Sequence, residues 1–245
     1  MTNKIETISK TVIVTGASGD IGIAVVQRLL QDGYKIAACC HSNAARLKAL
    51  AHNDIAIYDL DLSHDESIKD CAVKIGKEAD QMAGLVNCAG VAAGSLFGMT
   101  KISDMRALFD VNLFGTLLFT QFIAKKLVRQ KSGSIINMAS TAGIFAEQGT
   151  LAYGASKAAL LHASRVLAVE LGQFGIRVNS IAPSAVNSKM ADAMDDEARK
   201  KLDQLGSLPG ITQPENVADV VAFLISDSAD AVSGETIRVD RGTPF

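Results

Sequence analysis

Short apolar runs alternate with longer stretches of helical period along nearly the whole chain. Thr11–Thr15 (TVIVT) is rich in β-branched residues and ends at Gly16, which predicts a strand buried on both faces. Apolar positions at helical spacing follow over residues 21–31 and stop near Gly33. Residues 35–39 predict a second strand, and the Ala-rich stretch at 44–51 a second helix. A third strand is expected at 55–58, then a helix at 63–77 with Ser63 as N-cap and Glu66 three residues on. Further strands are expected at 84–87, 134–138, 176–181 and Thr236–Val239. Between them the pattern predicts helices at about 103–130, 152–173, 192–205 and 215–226. Strand and helix in regular alternation imply an α/β fold, a doubly wound parallel sheet of about seven strands with helices on both faces. No Gly/Ser-rich linker, repeat or low-complexity run interrupts it, so residues 1–245 read as a single domain.

The two longest helices carry more apolar surface than one stripe against a sheet requires. Leu108, Phe109, Val111, Leu113, Phe114, Leu117, Leu118, Phe119 and Phe122 occupy more than one face, as do 158–161 and 166–169 on the later helix. The surplus predicts a second subunit packed on 103–130 and 152–173, in a homotetramer or a dimer.

Composition narrows the class. Hydrophobic residues make up 48% and charged residues 20% of the 245, as in ordinary globular proteins. The net charge of -2, without a basic run, offers nothing to attract nucleic acid or an anionic membrane. The polar start and the lack of a long apolar run suggest neither signal peptide nor membrane span, which makes the cytoplasm the expected compartment. Cys39, Cys40, Cys71 and Cys88 form no Cys-x-x-Cys pair and the four His are dispersed, so no metal is expected.

Chemistry concentrates at three places. Gly16, Gly19 and Gly22 follow the first strand and open the first helix, the setting in which backbone amides cradle a pyrophosphate. The second strand ends in Cys39-Cys40-His41-Ser42-Asn43, without the carboxylate that would hold a free ribose 2′-hydroxyl. His41 and Ser42, with Arg46 within reach, could donate to a 2′-phosphate, which favours NADP(H) and leaves NAD(H) possible. Tyr153 and Lys157 stand one helical turn apart, where an ammonium can depress a phenol's pKa toward proton exchange.

With these motifs in order, the chain resembles the short-chain dehydrogenase/reductase family from Thr11 to about Gly242, most closely its 3-oxoacyl-acyl-carrier-protein reductase branch. The resemblance implies a Rossmann-type fold and a catalytic set of Ser140, Tyr153, Lys157 and Asn112, with Ser140 thirteen residues before the tyrosine. Tyr153 would exchange the proton, Lys157 hold the nicotinamide ribose, Ser140 donate to the substrate oxygen, and Asn112 hold a water leading to Lys157. Implied cofactor contacts are Gly16, Ser18, Gly19, Asp20, Ile21, Gly22, His41, Ser42, Asp61, Leu62, Asn87, Ala89 and Gly90. Tyr153, Lys157, Pro183, Val186 and Ser188 complete them. The substrate would meet Ser140, Ile144, Phe145, Gln148 and Tyr153 beneath a lid at about 184–210, which carries Met190 and Met194.

Several positions depart from the family pattern. Asp20 replaces a glycine, and the basic residue expected just before it is Gly19. Asp20 is expected to cap the first helix with its carboxylate turned from the pyrophosphate. Cys88 replaces an asparagine, Ser184 a glycine and Ser188 a threonine. Lys125, Lys126, Arg129 and Lys131 are a modest basic cluster for an acidic carrier protein, while Phe174 stands where a basic residue is common in that branch. The open alternatives are a dehydrogenase of a sugar or other secondary alcohol, and a non-catalytic cofactor-binding scaffold.

Overall fold

The computed structural model describes residues 10–187 and 206–244. Its strands are β1 (Thr11–Thr15), β2 (Lys35–Cys40), β3 (Ile55–Asp59), β4 (Met82–Asn87), β5 (Gly133–Met138), β6 (Ile176–Pro183) and β7 (Thr236–Val239). They form one seven-stranded sheet in the order β3-β2-β1-β4-β5-β6-β7, every pair parallel. The order reverses between β1 and β4, so loops leaving the carboxyl ends of these two strands diverge and open a crevice.

The helices are α1 (Asp20–Gln31), α2 (Ala45–Ala49), α3 (Asp65–Glu78), α4 (Ile102–Phe109), α5 (Thr116–Gln130), α6 (Leu151–Gly172) and α7 (Pro214–Ile225). Strand parity sorts the core into two layers. Val12 and Val14 face Val26 and Leu29 of α1 and Val217 and Val221 of α7. Ile13 faces the other way, toward Ile68 of α3 and Phe119 and Ile123 of α5. Each such side chain taken fully from water contributes about 1.5–3 kcal/mol.

Three local expectations change. The third helix begins at Asp65 with His64 at its N-cap, one residue later than expected, and the Ser63 side chain is turned back onto the Asp61 carboxylate, to which its hydroxyl donates at 2.6 Å. The second helix is only five residues long. The stretch expected as one α-helix at 103–130 is interrupted by a π turn, Asp110–Gly115, which joins α4 to α5. The expected helix at 192–205, most of the lid at 184–210, and Ser188, Met190 and Met194 lie outside the described residues.

By length and composition Ile102–Gln130 could cross a membrane, yet half of its most apolar window is buried within the protein. Phe119, Ile123 and Leu127 pack on the sheet, and Leu108 and Leu113 are also buried inside the chain. Of the surplus apolar surface on the two long helices, Ile102, Phe114, Val166 and Val169 remain exposed.

Candidate active site

The carboxyl ends of β4, β5 and β6, with the first turns of α6, bring the expected catalytic residues together. Ser140 follows β5 and caps a short 3-10 turn (Thr141–Gly143), its Oγ accepting from the Ala142 amide at 3.2 Å. Tyr153 lies in the first turn of α6, with its phenol near enough to the Ser140 side chain for that hydroxyl to favour the phenolate. One turn on, Lys157 is 4% exposed and donates from Nζ to the Met138 carbonyl at 2.8 Å. That Nζ lies 5.8 Å from the centroid of the Tyr153 ring.

Burial governs the titration of both groups. Taking a phenolate out of water pushes the Tyr153 pKa up, and the Ser140 hydroxyl offsets only part of that. Burial also lowers Lys157 to about 8. The expected depression of Tyr153 by Lys157 is not what the structure shows: desolvation is the dominant influence on the phenol, and Lys157 is not among the groups that lower it.

Asn112 sits fully buried in the π turn. Its Oδ1 accepts from the Val91 amide at 2.8 Å, and its Nδ2 donates to the Val91 carbonyl at 2.8 Å and to Ser156 Oγ at 3.1 Å. Ser156 Oγ donates in turn to the Tyr153 carbonyl at 2.7 Å. Asn112 thus ties the loop after β4 to the start of α6. A Cβ placed on Gly90 would lie 3.2 Å from both Asn112 Oδ1 and Lys157 Nζ, so the backbone passes close by this pair.

The glycine loop fits a dinucleotide pyrophosphate. Gly16 has φ +61, and a Cβ there would meet the Ala89 backbone at 2.7 Å; one on Gly22 would meet the Gly16 carbonyl at 2.2 Å. Gly19 is the N-cap of α1 and provides no side-chain acceptor, which leaves first-turn amides for an anion. Ser18 and Ile21 are partly buried beside it. Asp20 is the first helical residue rather than the expected cap, and its Oδ1 pairs with Arg46 Nη1 at 2.7 Å.

At the far end, His41 and Ser42 are exposed beyond β2, with His41 Nδ1 3.7 Å from Asp61 Oδ2. The Asp61 carboxyl is held at about 2, chiefly by the Ser63 hydroxyl, with smaller contributions from the Ser63 amide, His64 and His41. Leu62 is buried below it. The Ala89 amide donates to Thr15 Oγ1 at 3.1 Å, and Pro183 and Val186 are buried just beyond the reacting end.

The Asn87 Nδ2 donates to Thr120 Oγ1 and Asn137 Oδ1, and Asn137 donates on to Ser164. These bonds form a buried polar ladder between β4, β5, α5 and α6, while Asn87 Oδ1 accepts no hydrogen bond within the described residues. Of the expected substrate residues, Ile144 and Gln148 are exposed, whereas the Phe145 ring stacks on Arg238 of β7 at 4.9 Å. Leu96, Phe97 and Met99, between β4 and α4, are exposed apolar side chains that the sequence pattern did not single out. Ser156 and the Met138 carbonyl were also missed, although Ser156 falls on the Tyr153 face of the helix at i+3.

A family model described as Enoyl-(Acyl carrier protein) reductase matches residues 16–244. The 3-oxoacyl-[acyl-carrier-protein] reductase FabG of Rickettsia felis is 33% identical over 238 residues, covering 97% of this chain and 98% of its own. Its counterpart from Thermotoga maritima is 31% identical over 95% of this chain and 97% of its own. Among solved structures, a short-chain type dehydrogenase/reductase from Mycobacterium ulcerans has a TM-score of 0.90 at 27% identity, covering 96% of this chain and 89% of its own. With that match extending from the glycine loop past β7, the chain belongs to the short-chain dehydrogenase/reductase family, as an NAD(P)-dependent oxidoreductase acting on a CH–OH/C=O pair.

Proposed function

We propose that this chain uses NADP(H) to reduce a 3-oxoacyl thioester, borne on acyl-carrier protein, to the secondary alcohol. The observation that carries the reading is the convergence of Ser140, after β5, and Tyr153, in the first turn of α6, one helical turn from buried Lys157. The cofactor supplies the hydride when bound; the protein must hold the carbonyl and deliver a proton. Tyr153 is the general acid. A pKa raised by burial keeps the phenol protonated at neutral pH, the form that reduction consumes. Ser140 donates to the same oxygen as negative charge develops there. Lys157, still mostly protonated at pH 7, holds the ribose and stabilises the tyrosinate that remains. Asn112 keeps the loop after β4 and the start of α6 in register with this group.

The cradle of Gly16, Ser18, Gly19, Asp20, Ile21 and Gly22 would hold the pyrophosphate. Asp61 and Leu62 would meet the adenine, His41 and Ser42 the 2′-phosphate, and Ala89 and Gly90 the ribose side. Pro183, Val186 and Ser188 would flank the nicotinamide. The thioester is supported by the relatives named 3-oxoacyl-acyl-carrier-protein reductases.

One observation favours a second reading, oxidation or reduction of a sugar or other free secondary alcohol. Lys125, Lys126, Arg129 and Lys131 close α5 just before β5 begins, at the amino end of the strand, whereas Tyr153 lies at the carboxyl ends of the strands. Lys126 is moreover spent on the Gly76 and Ala79 carbonyls at the end of α3. NADPH consumption against 3-oxoacyl-carrier-protein, 3-oxoacyl-CoA, simple ketones and keto-sugars decides. The thioester reading requires the highest kcat/KM on the carrier-bound substrate. We further propose a cytoplasmic homotetramer or dimer joined through the exposed apolar faces at 102–130 and 151–172, which sedimentation velocity tests directly.

A further inference from the structure

The 3-10 turn after Ser140 is seated on α6 at close quarters. A Cβ placed on Gly143 would lie 2.8 Å from the Ala158 amide nitrogen, and one on Gly154 would lie 2.5 Å from the Ala142 carbonyl oxygen. Phe145 closes the far end of the turn, its amide donating to the Thr141 carbonyl at 2.8 Å. That end is secured from β7. The Arg238 guanidinium carbon lies over the half-buried Phe145 ring, 4.9 Å from its centroid. Arg238 Nε donates to Asp240 Oδ2 at 2.6 Å and Nη2 to the Thr243 carbonyl, and the Asp240 side chain is only 4% exposed. The edge of the guanidinium is thus bound to a buried carboxylate and a carbonyl while its plane lies on the ring, an arrangement open to a planar fork and not to an ammonium. Arg238 pairs with Ala182 of β6, and the Ser184 amide donates to the Val239 carbonyl at 3.2 Å. The same end of β7 therefore holds both the chain leaving β6 past Pro183 and the loop that follows Ser140.

We infer that Arg238 is a positioning residue for the reaction, acting through Phe145 on the turn that presents Ser140. A donor to a developing oxyanion loses much of its worth when displaced by about 1 Å, so the turn must be held at both ends. Its near end is held by α6 and its far end by the stack on β7. Asp240 and the Thr243 carbonyl fix the guanidinium before any substrate arrives, so the order is built in and not induced. One face of the Phe145 ring is taken by Arg238. The ring joins the loop after β5 to β7, and a substrate meets at most its other face.

The inference rests on the reading of Ser140 as donor to the 3-oxo group of a thioester, and a series of double variants separates the two. NADPH oxidation by 3-oxobutanoyl-CoA gives kcat and KM, and fluorescence titration gives NADPH affinity. Arg238→Lys keeps a charge beside Asp240 but not the planar fork. It is expected to lower kcat by about tenfold and to change NADPH affinity by less than about twofold. Phe145→Leu should also lower kcat, and adding Arg238→Lys to it should cost less than about threefold more, since the two act as one unit. In a Ser140→Ala background, itself slower by about 10²-fold, Arg238→Lys should again cost less than about threefold, because the group it positions is gone. Wild-type protein that leaves the thioester unreduced, or a Ser140→Ala variant as active as wild type, would sink the Ser140 reading and this inference with it. A full tenfold loss from Arg238→Lys in either background would overturn the inference alone. So would an Arg238→Lys variant with wild-type kcat.

Discussion

Replacing Lys157 with methionine should stabilise the protein while abolishing its chemistry. The amine is buried, has no carboxylate partner among its described contacts, and titrates at about 8 against an ordinary 10.5. A shift of that size corresponds to about 3 kcal/mol of charge burial borne by the folded state near neutral pH. Methionine keeps an unbranched chain of similar length but carries no charge. It forfeits the bond to the Met138 carbonyl, worth about 1 kcal/mol. The net gain at pH 7 is therefore about 2 kcal/mol, or roughly 4–8 °C in Tm for a chain of this size. Between pH 8 and 10.5 the folded protein binds fewer protons at this amine than the unfolded chain does, so wild-type stability rises with pH through that window. The advantage of Lys157→Met should shrink over the same interval and reverse by about 1 kcal/mol above it, where the neutral amine retains its hydrogen bond. Urea denaturation of both proteins at pH 7, 9 and 11 measures this. A variant less stable than wild type at pH 7, or a difference independent of pH, would refute the reasoning.

Tyr153→Phe should lower kcat for reduction by about 10²–10⁴-fold, the usual worth of a positioned general acid. Fluorescence titration should show that NADPH still saturates the variant, and unchanged turnover would exclude the proton role. Asn112→Ala removes three hydrogen bonds from a fully buried site and should cost about 3 kcal/mol, with faster hydrogen exchange at the Val91 amide as its local signature. Unchanged exchange there would show that the loop is held by other contacts. Gly115→Ala would set a Cβ 1.9 Å from the Leu62 carbonyl, so main chain must move, at a cost of about 3 kcal/mol. A melting temperature within a degree of wild type would mean that the π turn does not approach Leu62 so closely.

What could be read in advance follows the range of the interaction involved. Strand parity and helical period are local, and the sheet with its flanking helices was legible from them. Tyr153 and Lys157 share a helix, so their adjacency needed no knowledge of the fold. Ser140 joins them only because β5 and α6 pack together, which spacing could suggest only through family resemblance. Asp20 looked awkward in isolation because the partner that explains it is 26 residues away. Ser63 is not the cap because its side chain is turned back to the Asp61 carboxylate two residues earlier, an orientation that helical period does not encode. The orientation of Asn87 was within reach: it shares strand parity with Leu85 of the layer that includes α5, and so faces Thr120 there. The winding change at Asn112 was not, because bonds to Val91 in a distant loop accompany it.

That π turn bears on how the gene can vary. Each residue of a regular helix advances the winding by about 100°, so the turn acts as a one-residue phase shift between α4 and α5. Winding these residues as a regular helix at unchanged length would swing the whole of α4 by about 100° about its axis, and Leu108 would leave the core. Deleting one residue within 110–115 together with the turn cancels that swing and keeps both helices in phase. The turn is thus equivalent to one added residue, so related chains that lack it should be one residue shorter in this segment.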